Sequence, residues 1–114
     1  MILPTDVLPQ TDMTIAQVSI ILRSARPRSD MGKEIKRLGL CLYKELTGVL
    51  HGNPASQGPD YTLSCGLGFS QVRSKLAGYH FSQEALTQAE RRMLYPAEAL
   101  LRRLDELAGG YRHY

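Results

Sequence analysis

The histidines, the cysteines and the carboxylates are the side chains in this sequence that could do acid–base, nucleophilic or metal chemistry. His51, His80 and His113 show no paired spacing, and a four-ligand zinc site would need both cysteines and two of these histidines. The carboxylates form no recognisable pair, and no glycine-rich phosphate-binding loop occurs. We therefore predict a protein that is not an enzyme and that uses no metal or cofactor.

Cys41 and Cys65 lie in the apolar stretches LGLCLY and TLSCGL, and they are the only cysteines in the chain. Such surroundings are typical of a small buried hydrophobic side chain. The spacing of the two cysteines allows a disulfide but does not demand one. We expect two reduced thiols that contribute to packing.

Positive charge is concentrated between residues 23 and 44. Seven basic residues stand there against two acidic ones, which leaves a local charge of +5 in a chain whose net charge is +3. The basic residues are Arg23, Arg26, Arg28, Lys33, Lys36, Arg37 and Lys44. This cluster could bind phosphates beside a helix N-terminus, dock on an acidic protein surface, or be a solvated helix face.

The stretch LGFSQVRSKLAGYHFSQEAL, residues 67–86, predicts a helix over 69–77, a turn at Gly78 and the start of another helix. Arg73 and Lys75 would offer donors to bases or phosphates, as in the reading helix of a helix-turn-helix. The residues before Leu67 do not show a clear amphipathic-helix pattern, and the connection to the previous predicted helix is long. This favours a packed corner of a helical bundle over a DNA-reading motif.

Apolar periodicity predicts the elements that would position these residues. A helix is expected over 13–25, although its β-branched content makes a strand a competitor. A second helix over 31–51 has a clear apolar stripe. A further helix begins at Ser82, and Pro96 either kinks it or divides it in two.

Four apolar side chains in this last region are seven residues apart and could form a seam between two copies of the chain. Glu90 occupies one seam position and Pro96 interrupts the helix, so packing against the same chain is favoured over a homodimer. The seam residues are Leu86, Met93, Leu100 and Leu107.

With 114 residues, the chain is predicted to form one all-α domain, a bundle of four or five helices. Residues 1–11 contain two prolines and are expected to form a short extended arm. Residues 52–60 are a Pro/Gly-rich loop and residues 109–114 are a short tail. The sequence has no secretory signal and no apolar run long enough for a membrane span, so we expect a cytoplasmic protein.

These features predict a small binding or regulatory protein that associates with nucleic acid through a basic face. The alternative is a small protein, of the kind that mobile elements encode, that binds a host protein complex and inhibits or adapts it. The same side chains would serve either partner: Arg23, Arg26, Arg28, Lys33, Lys36, Arg37, Arg73 and Lys75.

Overall fold

The computed structural model describes residues 8, 13–52, 62–63 and 65–107, and these residues form an all-α bundle. The helices are α1 (Ile15–Ser24), α2 (Asp30–Leu50), α3 (Phe69–Phe81) and α4 (Gln88–Leu107), with a 3-10 turn at Gln83–Ala85. This confirms the predicted fold class. Apart from Leu8 and Gly52, the predicted arm, loop and tail lie outside the described residues.

A reciprocal capping box makes α1 a helix rather than a strand. The backbone N–H of Gln17 donates to Thr14 Oγ1 over 3.1 Å, and the N–H of Thr14 donates to Gln17 Oε1 over 2.8 Å. Two of the backbone donors at the helix start are thereby satisfied. Ile15, Val18 and Leu22 then fall on one buried face. These contacts outweigh the β-branched content of the segment.

Helices α2 and α4 form the centre of the bundle, and α1 and α3 pack around them. Gly39 lies where three helices meet, because a Cβ atom there would be 3.0 Å from Leu22 Cδ2 and 3.4 Å from the Cβ of Ala97. The absence of a side chain lets α2 approach both α1 and α4. No helix within the described residues is both long enough and apolar enough to cross a membrane.

The predicted bounds of α1 and α2 lie within two residues of the observed ones, and two other boundaries differ by more. Helix α3 continues through Gly78 to Phe81 instead of ending at residue 77. The last helix does not begin at Ser82, since a 3-10 turn follows and α4 starts at Gln88. Helix α4 runs on through Pro96, which excludes the alternative in which the proline divides it.

The expectation of two reduced cysteines is also wrong, because Cys41 and Cys65 form a disulfide. Leu63 donates its N–H to the carbonyl of Leu67 over 2.7 Å, and Gly66 adopts a positive φ of 95°. This tight turn carries Cys65 to α2, where the two Cα atoms are 5.8 Å apart, within the range for a disulfide. Cys41 is buried as expected, whereas Cys65 is exposed.

Candidate functional site

The eight basic residues predicted to bind an anionic partner lie in two parts of the fold. Two are on α3, and six lie at the end of α1, in the connector to α2, or in the first turns of α2. Lys36 and Lys75 are half-buried and the other six residues are exposed. Exposure alone does not make a cation available, so the partners of each one decide its role.

Lys36 and Arg26 bind the carbonyl groups at the C-terminal end of α1. Lys36 Nζ donates to the Ala25 carbonyl over 2.7 Å, and Arg26 Nη1 donates to the Arg23 carbonyl over 3.1 Å. The last carbonyls of a helix lack backbone partners and carry partial negative charge, so cations stabilise them. Lys36 is therefore committed to holding α1 on α2.

Glu34 on α2 gathers two of the predicted cations and a tyrosine. Lys75 Nζ lies 3.3 Å from Glu34 Oε2, and Arg37 Nη2 lies 3.4 Å from the same oxygen. Tyr79 donates its hydroxyl to Glu34 Oε1. The tyrosine hydrogen bond, ahead of the cations, lowers the pKa of Glu34. Burial and the same hydrogen bond raise the pKa of Tyr79 to about 12. Lys75 thus connects α3 to α2.

Arg73 connects α3 to α4. Its Nη2 lies 2.8 Å from Oδ1 of Asp105, a buried carboxylate, and its guanidinium carbon lies 4.9 Å from the centroid of the Phe69 ring. An ion pair of this length together with a cation–π contact holds the guanidinium against the protein. Arg73 and Lys75, the two basic residues of the proposed reading helix, both have partners within the chain.

We expect Arg73→Ala to lower the free energy of unfolding by about 1 kcal/mol, because it leaves the Asp105 carboxylate without this donor. Urea denaturation measures this loss, and Arg102→Ala, an exposed arginine on α4, is the matched control. A variant of unchanged stability that no longer binds duplex DNA would instead give Arg73 the binding role predicted from the sequence.

The N-terminus of α2 already holds a carboxylate of the chain itself. The hydroxyl of Ser29 accepts from the N–H of Gly32 over 2.9 Å and donates to Glu90 of α4. A Cβ atom on Gly32 would be 2.9 Å from the Cβ of Pro27, so only glycine permits this approach. At the predicted phosphate site, the Ser29 hydroxyl therefore already takes the N–H of Gly32, and the Glu90 carboxylate lies beside it.

Glu90 also caps its own helix. Its Oε1 accepts from the N–H of Thr87 over 2.8 Å, and its N–H donates to Thr87 Oγ1 over 3.1 Å. The hydrogen bond from Ser29 and then the Thr87 N–H lower the pKa of Glu90. The sequence signal was TQAE at residues 87–90, a capping-box pattern that we interpreted only as a charge in an apolar seam.

The predicted self-association residues pack mostly inside the chain. Leu86, Met93 and Leu100 are buried in the core, and Leu107 is half-buried. A dimer through this seam would have to withdraw three side chains from the core of each copy. Self-association stays a prediction, and this burial argues against it.

A groove of about 950 Å³ lies between the end of α1, the connector and the first half of α4. We call it the α1–α4 groove. Its lining is largely apolar and includes Met13, Ile21, Pro27, Met93 and Pro96. Three arginines, Arg26, Arg28 and Arg92, also line it. Sequence patterns do not reveal the groove, because its walls come from segments that are far apart in the chain.

Comparisons with protein-family models, with curated proteins and with solved structures find no match to this chain. Its side-chain geometry is therefore the basis on which a function can be proposed.

The described residues contain no group of three or more His, Cys, Asp or Glu side chains that could hold a metal ion. His80 is paired with Glu98, with Nδ1 3.1 Å from Oε2 on the protein surface.

Proposed function

We propose that this protein is a non-enzymatic binding protein that docks on an acidic region of another protein. Its contact surface would be the basic patch, defined here as Arg23, Arg26, Arg28 and Lys33. The observation that carries the proposal is the division of the eight cations into two groups. Lys36, Arg73 and Lys75 connect neighbouring elements, and Arg37 pairs with Glu34 on its own helix. The four patch residues are exposed and pair with no carboxylate in the described part of the chain.

Two features of the patch support contact with a protein. Arg23 lies over the ring of Tyr43, with 5.3 Å between the guanidinium carbon and the ring centroid. Within the described part of the chain, Arg28 and Lys33 have no ion-pair partner. Two members of the patch also border the apolar α1–α4 groove. Arginine beside an apolar surface is typical of protein interfaces.

Nucleic-acid binding, which the sequence favoured, is the competing proposal. It would draw on all eight cations and on the N-terminus of α2. Arg37, Arg73 and Lys75 pair with carboxylates, and Lys36 and Arg26 bond to carbonyls at the end of α1. The Glu90 carboxylate lies beside the Ser29 cap at the helix end. The remaining patch offers fewer phosphate contacts than the sequence count implied.

The proposal also concerns the compartment. The cytoplasm is the prediction from the sequence, while disulfides persist in oxidising compartments and are rare in a reducing cytosol. The Cys41–Cys65 disulfide therefore favours an oxidising environment. A docking protein that inhibits or adapts another protein complex, the alternative drawn from the sequence, is compatible with either compartment.

Titration against two labelled probes, an oligoglutamate peptide and duplex DNA, at about 50 and 200 mM salt tests the proposal. We expect the peptide to bind at low salt and to weaken at the higher salt. Arg28→Glu should weaken it roughly threefold to tenfold, in keeping with one surface charge contact. Lys44→Glu, which reverses an exposed charge outside the patch, should have no effect.

DNA binding without peptide binding would replace this function with the nucleic-acid alternative. Equal effects of the two charge reversals would show attraction by net charge alone and would contradict a docking patch. Binding of neither probe would remove both functions.

A further inference from the structure

We infer that the α1–α4 groove binds an acidic amphipathic segment of a partner protein, with the segment's apolar side chains in the groove and its carboxylates on the surrounding arginines. This inference rests on the proposed function, since the groove borders the basic patch. It adds the chemical class of the ligand and the surface that binds it.

The groove has the size and lining of a binding site. Its volume of about 950 Å³ lies in the range of ligand pockets, which are mostly apolar with a few polar groups. Met93 and Pro96 of α4, Ile21 of α1 and Ala25 just after α1 all line it. Apolar side chains entering this space would lose contact with water on both sides.

Exposed apolar side chains extend the surface beyond the groove. Tyr95 lines the groove and remains 43% exposed, and Ile20 is 65% exposed one helical turn before Ser24, another lining residue. The hydroxyl of Tyr95 donates to Gln83 Oε1 over 2.7 Å, which fixes the ring. Exposed apolar patches with polar borders mark interaction sites.

Charge selects an acidic ligand. Arg26, Arg28 and Arg92 line the groove together with Glu90, whose carboxylate accepts hydrogen bonds from Ser29 and Thr87. The Glu90 carboxylate is therefore directed toward the N-termini of α2 and α4. The three guanidinium groups give the groove a positive charge. Guanidinium groups pair with carboxylates in a bidentate geometry.

The shape of the surface favours a protein segment over a compact ligand. A second, shallower depression is lined by Gln88, Arg91, Arg92 and Tyr95, so it shares two residues with the groove. The two depressions thus adjoin each other at Arg92 and Tyr95. A nucleic acid would need polar contacts to successive phosphates and several stacking rings, whereas Tyr95 is the one aromatic residue lining either depression in the described structure.

An amphipathic helical peptide provides the probe, since such helices dock through apolar side chains three and four positions apart. A labelled peptide with leucine on one face and glutamate elsewhere is compared with three other probes by fluorescence anisotropy. We call this the Leu–Glu peptide. In the Ser–Glu peptide serine replaces leucine, in the Leu–Lys peptide lysine replaces glutamate, and the last probe is oligothymidylate.

Two variants test the position of the peptide. Ala89→Trp fills the groove from an exposed lining position, and Ala77→Trp makes the same change on an exposed site of α3.

We expect the Leu–Glu peptide to bind at least about tenfold more tightly than the Ser–Glu peptide. Ala89→Trp should weaken it by about tenfold, and Ala77→Trp should leave it unchanged. Thermal unfolding of both variants shows whether each has folded, and Arg92→Glu with Arg102→Glu as its control gives a second test if Ala89→Trp does not fold.

Equal binding of the Leu–Glu and Ser–Glu peptides, unaffected by Ala89→Trp, would overturn the groove inference and leave charge-driven docking intact. Binding of the Leu–Lys peptide as tight as that of the Leu–Glu peptide would show that the arginines do not select the ligand, and would also overturn it. Failure of both glutamate peptides removes the groove inference and the proposed function together. Oligothymidylate binding that Ala89→Trp blocks would assign the groove to nucleic acid.

Discussion

Reduction of the Cys41–Cys65 disulfide is expected to lower the free energy of unfolding by about 3 kcal/mol. The bond links residues 24 apart, and closing a loop of that length restricts the unfolded chain by about this amount in the chain-entropy account. The bond also ties the turn before α3 to the middle of α2. Urea denaturation with and without a phosphine reductant measures the difference.

Cys65→Ser separates the loss of the bond from other effects of the reductant. Its stability should match that of the reduced protein, and the reductant should not change it further. The two cysteines are the only ones in the chain, so no other disulfide can respond. A wild-type unfolding curve that the reductant leaves in place would show that the bond contributes nothing to stability.

The sequence predicted the elements whose signals are local. The apolar stripes of α1 and α2 recur within a few positions along the chain, so a helix could be derived from each of them. The end of α3 could not, because the helix continues past Gly78 to Tyr79, which bonds to Glu34 on another helix. A tertiary contact there outweighs the local preference of glycine to end a helix.

The candidate site was predictable as a concentration of charge and not as a surface. Lys75 and Glu34 are 41 positions apart, and Ser29 and Glu90 are 61 apart. Sequence patterns show pairs three or four positions apart on one helix, but they do not show which distant carboxylate neutralises which cation. The structural cations could therefore not be separated from the basic patch before the helices were packed.

Glu90 joins two helix N-termini, and its removal is expected to destabilise the fold. It is 8% exposed, and it accepts hydrogen bonds from the Ser29 hydroxyl that caps α2 and from the Thr87 N–H at the start of α4. Glu90→Gln retains the size of the side chain and removes the charge. We expect it to lower the free energy of unfolding at neutral pH by about 2 kcal/mol, the scale of hydrogen bonds to a charged group.

Glu106→Gln is the matched control on the same helix. Glu106 is exposed and pairs with Arg103 over 3.3 Å, a surface contact whose loss should cost less than about 1 kcal/mol. Equal losses in the two variants would contradict the role of Glu90 at the helix ends.

The pH dependence of the Glu90→Gln effect tests its electrostatic origin. The hydrogen bonds from Ser29 and Thr87 lower the pKa of Glu90 in the folded protein, so the unfolded state binds the proton more tightly. The stabilisation is therefore fully present above the unfolded pKa of about 4.3 and is lost as the pH falls through the folded value. Glu34 has a lowered pKa as well, but it is present in both proteins and cancels in their difference. The difference in free energy of unfolding between wild type and Glu90→Gln should be constant near neutral pH and should disappear in acid. A difference that persists in acid would assign the destabilisation to packing rather than to the charge.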